Sequence, residues 1–219
     1  MKEAGAGSLC LQASVEATFG YLDLARRDAT AARALLVDPG TTTLTAIALG
    51  LAGEEHAALA LASDVEKEFP KDSMYRLIGV SLVRALVAIH GNNPQQALAI
   101  LEPAKGYDAA LVLVRYTRGK AFLQAGQEIE AELEFHSVLG PRMKNLEFYG
   151  QARNAFVRSL ACLELGRTYT AQASKNPDSM ADLTRKARAA YQEFFTLWKD
   201  ADPDIPILNQ AKAEYAKLR

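Results

Sequence analysis

The sequence predicts an all-α chain in which consecutive antiparallel helix hairpins stack on one another and a single helix closes the end. Three observations carry this. Glycine and proline punctuate the 219 residues at near-regular intervals. The stretches between them are rich in Ala, Leu, Glu, Lys and Arg, with apolar residues three and four apart. No β-branched alternation lasts long: the nearest case, Leu111-Val112-Leu113-Val114, runs straight into Arg115-Tyr116 and a helical pattern.

The most complete hairpin signal is Gly119, Phe122, Gly126, Ala131, Phe135 and Val138, with Pro141 closing the unit. Gly119 lets a second helix approach, Phe122 fills the gap beside it, and Gly126 takes a turn conformation most side chains resist. Ala131 is the small residue expected to face Gly119, Phe135 wedges between neighbours, and Pro141 cannot continue a helix. This pattern resembles the tetratricopeptide repeat. The resemblance implies a right-handed α-α superhelix of about five hairpins, near 8–38, 41–70, 73–104, 110–140 and 151–198. A capping helix over 204–218 and a flexible tail over 1–7 complete the expected layout.

Taken in order, the first hairpin keeps Gly20, Ala32, Leu36 and Pro39 of the pattern, but Arg27-Asp28 stands where its turn belongs. The second reproduces the pattern step for step in Ala46, Leu49, Gly53, Ala58, Ala62, Val65 and Pro70. The third has Ala85, Ala88, Asn92, Ala97 and Leu101, and Asn92 within Gly91-Asn92-Asn93-Pro94 tolerates the left-handed turn conformation. The fifth opens with Gly166 and Tyr169 but reaches Ala187, Tyr191 and Phe194 only after about nine extra residues. That insertion, near 173–182 and centred on Ala173-Ser174-Lys175-Asn176-Pro177-Asp178-Ser179, is expected as a polar loop. The alanines at 32, 58, 97, 131 and 187 lie 26, 39, 34 and 56 residues apart, so the array is degenerate. Ile207, Leu208, Ala211, Tyr215 and Leu218 have the spacing of the capping helix, with Asp204 placed to cap its start.

The segment from Ala187-Arg188-Ala189-Ala190-Tyr191-Gln192-Glu193-Phe194-Phe195-Thr196-Leu197-Trp198 through Asp202-Pro203-Asp204-Ile205-Pro206-Ile207-Leu208, with Ala211-Lys212-Ala213-Glu214-Tyr215, is more specific. It resembles the C-terminal region of large acidobacterial signalling proteins. These join a eukaryotic-like serine/threonine kinase, or a winged-helix DNA-binding domain, to a tetratricopeptide array. Tyr116-Thr117-Arg118-Gly119-Lys120-Ala121-Phe122-Leu123 and Gly166-Arg167-Thr168-Tyr169 fit the same array. The resemblance implies a non-enzymatic scaffold or protein-interaction module of a bacterial signalling protein. The glycine-rich loop, His-Arg-Asp loop and Asp-Phe-Gly triplet of a kinase are not in this sequence.

Composition narrows the partners. The 25 Lys+Arg balance 26 Asp+Glu to a net charge of -1, which removes the electrostatic excess of a general nucleic-acid binder. No apolar stretch is long enough to span a bilayer, and Glu3 stands where a signal peptide wants positive charge. The expected compartment is the cytoplasm, or the periplasm if a membrane helix lies upstream in the parent. Cys10 and Cys162 match no metal spacing and read as buried thiols. Asp200, Asp202 and Asp204 begin like a calcium loop, but Ile205 and Ala211 occupy the sites that need glycine and a bidentate acid. His56, His90 and His136 fall in separate hairpins. No metal, cofactor or catalytic residue is expected.

The expected working surface is the concave side, lined by the first helix of each hairpin: Tyr116, Lys120, Leu123 and Gln124, then Leu163, Arg167 and Thr170. Apolar groups would desolvate an extended protein or peptide ligand, while Lys120 and Arg167 would read a carboxylate or phosphate. Glu128, Glu130, Glu132 and Glu134 are expected on a solvated face. The alternative is a homo-oligomer or intramolecular docking module, with Phe194, Phe195, Trp198 and Tyr215 as exposed apolar contacts. The Lys, Arg and Asn residues by which chaperone-binding repeats clamp a carboxylate do not recur, with Ala17 and Tyr21 at the first unit's counterparts.

Overall fold

The computed structural model describes residues 2–72, 74–107, 112–140 and 151–218. Every regular element among them is helical, in two compact groups divided after Tyr107. The first holds α1 (Lys2–Phe19), α2 (Leu22–Leu35), α3 (Pro39–Leu51), α4 (Glu55–Glu68), a π-helical segment (Met74–Val80) running into α5 (Ser81–His90), and α6 (Pro94–Leu101) with a 3-10 extension to Tyr107. The second holds α7 (Val112–Gln124), α8 (Glu128–Leu139), α9 (Gln151–Lys175), α10 (Met180–Leu197) and α11 (Pro206–Ala216). Pro141 lies outside the described residues.

Helices pair in chain order, α1 with α2, α3 with α4, α5 with α6, α7 with α8 and α9 with α10. The first helix of one pair also packs on the first helix of the next: α1 on α3 and α3 on α5 in one group, α7 on α9 in the other. Residues 2–7, expected as a tail, are instead the opening turns of α1, because Ala6 is fully buried, as are Cys10 and Ala13 further along.

Four of the pairs close with one and the same turn. Gly20, Gly53, Asn92 and Gly126 all have positive φ, at 96°, 79°, 58° and 71°. In each, the next residue's N–H reaches back five residues: Tyr21 to the Glu16 carbonyl, Glu54 to Leu49, Asn93 to Ala88 and Gln127 to Phe122, at 2.8–2.9 Å. The left-handed residue itself donates to the carbonyl three before it. This pair of hydrogen bonds satisfies carbonyls that a helix end leaves unpaired.

The turn positions correct the reading of the first hairpin. Gly20 is the turn residue rather than the close-approach glycine, and Arg27-Asp28 sits in the middle of α2. Once Gly20 is aligned with Gly53, Asn92 and Gly126, the intervals become 33, 39 and 34 residues. Seven residues before each turn stands a buried small residue, Ala13, Ala46, Ala85 or Gly119, and five after it another, Ala25, Ala58, Ala97 or Ala131. Small residues at both sites let the helix axes approach.

The glycine contact itself differs from expectation. A Cβ on Gly119 would lie 2.6 Å from Phe135 Cε1, so the ring, and not Ala131, fills the space opposite. Gly166 repeats this against Tyr191 Cδ2 at 2.7 Å. The second contact spans nine more residues than the first, 25 against 16. The expected polar loop is therefore mostly helix: α9 runs on to Lys175, a 3-10 turn covers Pro177–Ser179, and α10 starts at Met180. Each helix gains about one turn, so the glycine–aromatic register is preserved.

At the end of the chain α11 starts at Pro206, and Asp204 does not cap it: the Asp202 carboxylate accepts the Asp204 N–H at 3.0 Å. Leu208 and Ala211 are buried. The aromatic residues expected to be exposed are folded into this end. Phe194 and Trp198 are buried with centroids 4.9 Å apart, and Phe195 packs edge-on to Tyr215 at 5.6 Å.

Gly20→Ala tests the corrected turn. At φ 96° a Cβ costs about 1–2 kcal/mol, so urea unfolding should show that loss. Were Gly20 inside a helix, the same change would instead stabilise by up to about 1 kcal/mol.

Candidate functional site

The residues expected on the concave surface lie on α7 and α9, two helices in contact, but most are committed internally. Tyr116 is buried, packs against Phe135 with centroids 6.0 Å apart, and donates its hydroxyl to Glu164 Oε1 at 3.2 Å. Leu163 has no exposed surface. Arg167 donates from Nη1 to Glu164 Oε1 at 2.9 Å and from Nε and Nη2 to the two oxygens of Glu214 at 2.9 and 3.0 Å. Thr170 donates to the Gly166 carbonyl. Lys120 stands 5.9 Å over the Tyr116 ring, Leu123 is half-buried, and Gln124 is exposed.

Arg167 does bind carboxylates, as its chemistry suggests, but they are the chain's own. Glu214 also accepts from Tyr191 at 3.0 Å and Gln210 at 2.9 Å, so one polar network ties α7, α9, α10 and α11 together. Nothing near Arg167 in sequence announces Glu214, which is 47 residues away. Burial drives the Tyr116 phenol well above its ordinary pKa, with the Glu164 charge adding to it. Burial alone would lower Arg167, but Glu164 and Glu214 outweigh it and raise its pKa. For Glu214 burial pushes upward, and the Arg167 bonds and charge more than reverse this, with Tyr191 and Gln210 helping, leaving its pKa below 4.5.

A second network joins α8 to α9. Tyr169 donates to Glu132 at 3.0 Å and lies 3.0 Å from His136 Nε2. Gln172 donates to the other oxygen of Glu132 at 2.8 Å, and Lys175 pairs with Glu128. Burial, then Glu132, pushes the Tyr169 phenol up to about 12. Glu134 holds the buried Arg118 through two bonds of 2.7 and 2.9 Å. Three of the four alternating glutamates are thus inward-facing partners, which corrects the solvated-face reading. Only Glu130 of the four is exposed.

An open, mostly apolar groove lies elsewhere. In the first group α2 and α4 both flank α3, and Arg26 reaches Glu54 at the start of α4. Beyond that pair the helices leave an open groove of about 530 Å³. Ala34 and Val37 form one wall, Ala60 and Leu61 the other, and Leu49 part of the floor, above the buried Ala29. Arg33 is the one charged lining residue and pairs with no acid among the described residues. A turn at Arg27-Asp28 would split α2 into two half-helices, so the groove does not follow from the sequence pattern.

Among the described residues no three His, Cys, Asp or Glu side chains come together to hold a metal ion, and no helix is long and apolar enough to cross a membrane.

Arg167→Met should cost about 3 kcal/mol in urea unfolding, because Glu164 is left buried without its cation. Lys120→Ala should stay within about 0.5 kcal/mol. Since the Glu214 pKa is lowered on folding, its stabilisation is present above its unfolded value near 4.5 and is lost as pH falls through the folded value. Glu214→Gln should therefore flatten the acid limb of the stability profile, and an unchanged limb would refute the assignment.

No family model matches the chain, and neither does a curated protein or a solved structure.

Proposed function

We propose that this chain is a non-catalytic, tetratricopeptide-like helical-repeat module that binds a protein or peptide. Its turns at 20, 53, 92 and 126 support that reading, since each carries the same bonding and the same flanking small residues. The right-handed superhelix belongs to the proposal. So does its place as the regulatory part of a bacterial signalling protein with a serine/threonine kinase domain, a reading that rests on the resemblance of residues 187–218. We place it in the cytoplasm, which suits Cys10 and Cys162 as buried thiols outside any disulfide.

The observation that carries a binding role is the α2–α4 groove, a mostly apolar channel with one unpaired cation. Apolar walls supply desolvation energy, and Arg33 favours a ligand with a carboxylate among apolar side chains. This moves the working surface from the α7 and α9 residues, which hold the fold, to the second helices of the first two hairpins. The alternative, self-association or docking within a transcriptional regulator, draws on the exposed Ile129 and Leu133 of α8.

Peptide-display selection on the whole chain, with Ala60→Arg as the counter-target, tests the groove. Ala60 is solvent-exposed on α4, so the substitution blocks the channel without entering the core. Enriched peptides should combine apolar residues with an acid and bind the blocked variant at least about tenfold more weakly, a loss near 1.4 kcal/mol. Selection that never separates the two proteins would contradict the proposal.

A further inference from the structure

Among the described residues the large apolar side chains most exposed to solvent are Val37, Ile129 and Leu133, with Leu197 next at 59%. Val37, at the rim of the groove, and Ile129 are each 70% exposed, and Leu133 follows at 64%. Ile129 and Leu133 are four apart on α8, so they stand one above the other as a ridge. Between them Glu130 projects to solvent and has no cationic partner among the described residues, while Glu128, Glu132 and Glu134 are all paired. The α2–α4 groove has the complementary form. The exposed small residues Ala34 and Ala60 keep its walls low enough for a helix to enter, and Arg33 supplies the unmatched positive charge. A ridge of residues four apart fits a channel between helices by ordinary ridge-into-groove packing.

We propose that the chain associates head to tail with a second copy of itself, Ile129 and Leu133 of α8 seating in the α2–α4 groove with Glu130 against Arg33. This rests on the reading of that groove as the working surface and names its occupant. The two patches are different surfaces of the same chain, so the contact is heterologous: a pair of copies joined by it keeps one groove and one ridge free. Burying the apolar ridge drives the association, and the charge pair fixes its register.

Sedimentation velocity on the full chain tests this with two variants, Ile129→Ser combined with Leu133→Ser, which removes the ridge, and Ala60→Arg, which blocks the groove. The wild-type sedimentation coefficient should rise from micromolar to near-millimolar concentration. Each variant alone should stay monomeric with an unchanged far-ultraviolet circular dichroism spectrum. Mixed, they should form a one-to-one heterodimer, because the ridge variant keeps its groove and the blocked variant keeps its ridge. In the charge arm, Glu130→Arg should weaken wild-type association about tenfold, and Arg33→Glu in the same chain should restore it. A wild type that stays monomeric, variants that still associate alone, or a mixture without heterodimer would each overturn the proposal. Any of these leaves the peptide selection on the groove free to succeed, so the two readings fail separately.

Discussion

The structure depends on one local constraint: a left-handed residue that ends a helix and lets the following N–H bond back five residues. With that turn made, the chain re-enters a helix after two or three residues and must lie antiparallel to the one it has left. The axes are then held close by small side chains at fixed distances from the turn. Ala13 and Ala25 around Gly20, and Ala46 and Ala58 around Gly53, have the same spacing as Gly119 and Ala131 around Gly126. Local conformation and tertiary packing thus point to the same answer in successive hairpins, the consistency expected of a foldable sequence.

The all-helical class was legible because the features that signal it are local. A glycine or asparagine before a run of helix formers, with alanines at set intervals, is visible without knowing what packs where. Gly53, Asn92 and Gly126 were read in their observed roles for that reason. Gly20 was not, because a glycine serves equally as a turn residue or as a close-approach residue, and only the backbone angle separates the two. The insertion before Ala187 was legible in length but not in form. Splitting it between two antiparallel helices keeps Gly166 against Tyr191, a long-range condition that no local pattern states.

The candidate site was less legible than the fold, for a physical reason. Helical periodicity says which face of α7 and α9 a residue shares, but it does not say what another element lays over that face. Tyr116, Leu163 and Arg167 lie on the contacting helices α7 and α9, yet Leu163 is buried, and Glu164 with Glu214 of α11 occupies the polar groups of Tyr116 and Arg167. The same holds for α8, where three glutamates that look solvent-facing are the anchors of Arg118, Tyr169, Gln172 and Lys175. With these charges assigned inward, Arg33 beside an apolar channel and Glu130 beside an apolar ridge are two charged groups with no ion-pair partner among the described residues, and the proposed association rests on them.

The most direct measurement of the central claim is amide hydrogen exchange by NMR at the residues that follow the turns. If the hairpins close as described, the Tyr21, Glu54, Asn93 and Gln127 amides are protected to the same degree as the helices they terminate, and residues 20, 53, 92 and 126 show positive-φ couplings. Rapid exchange at Tyr21, with a helix break at Arg27 and Asp28 in its place, would contradict the account at its foundation.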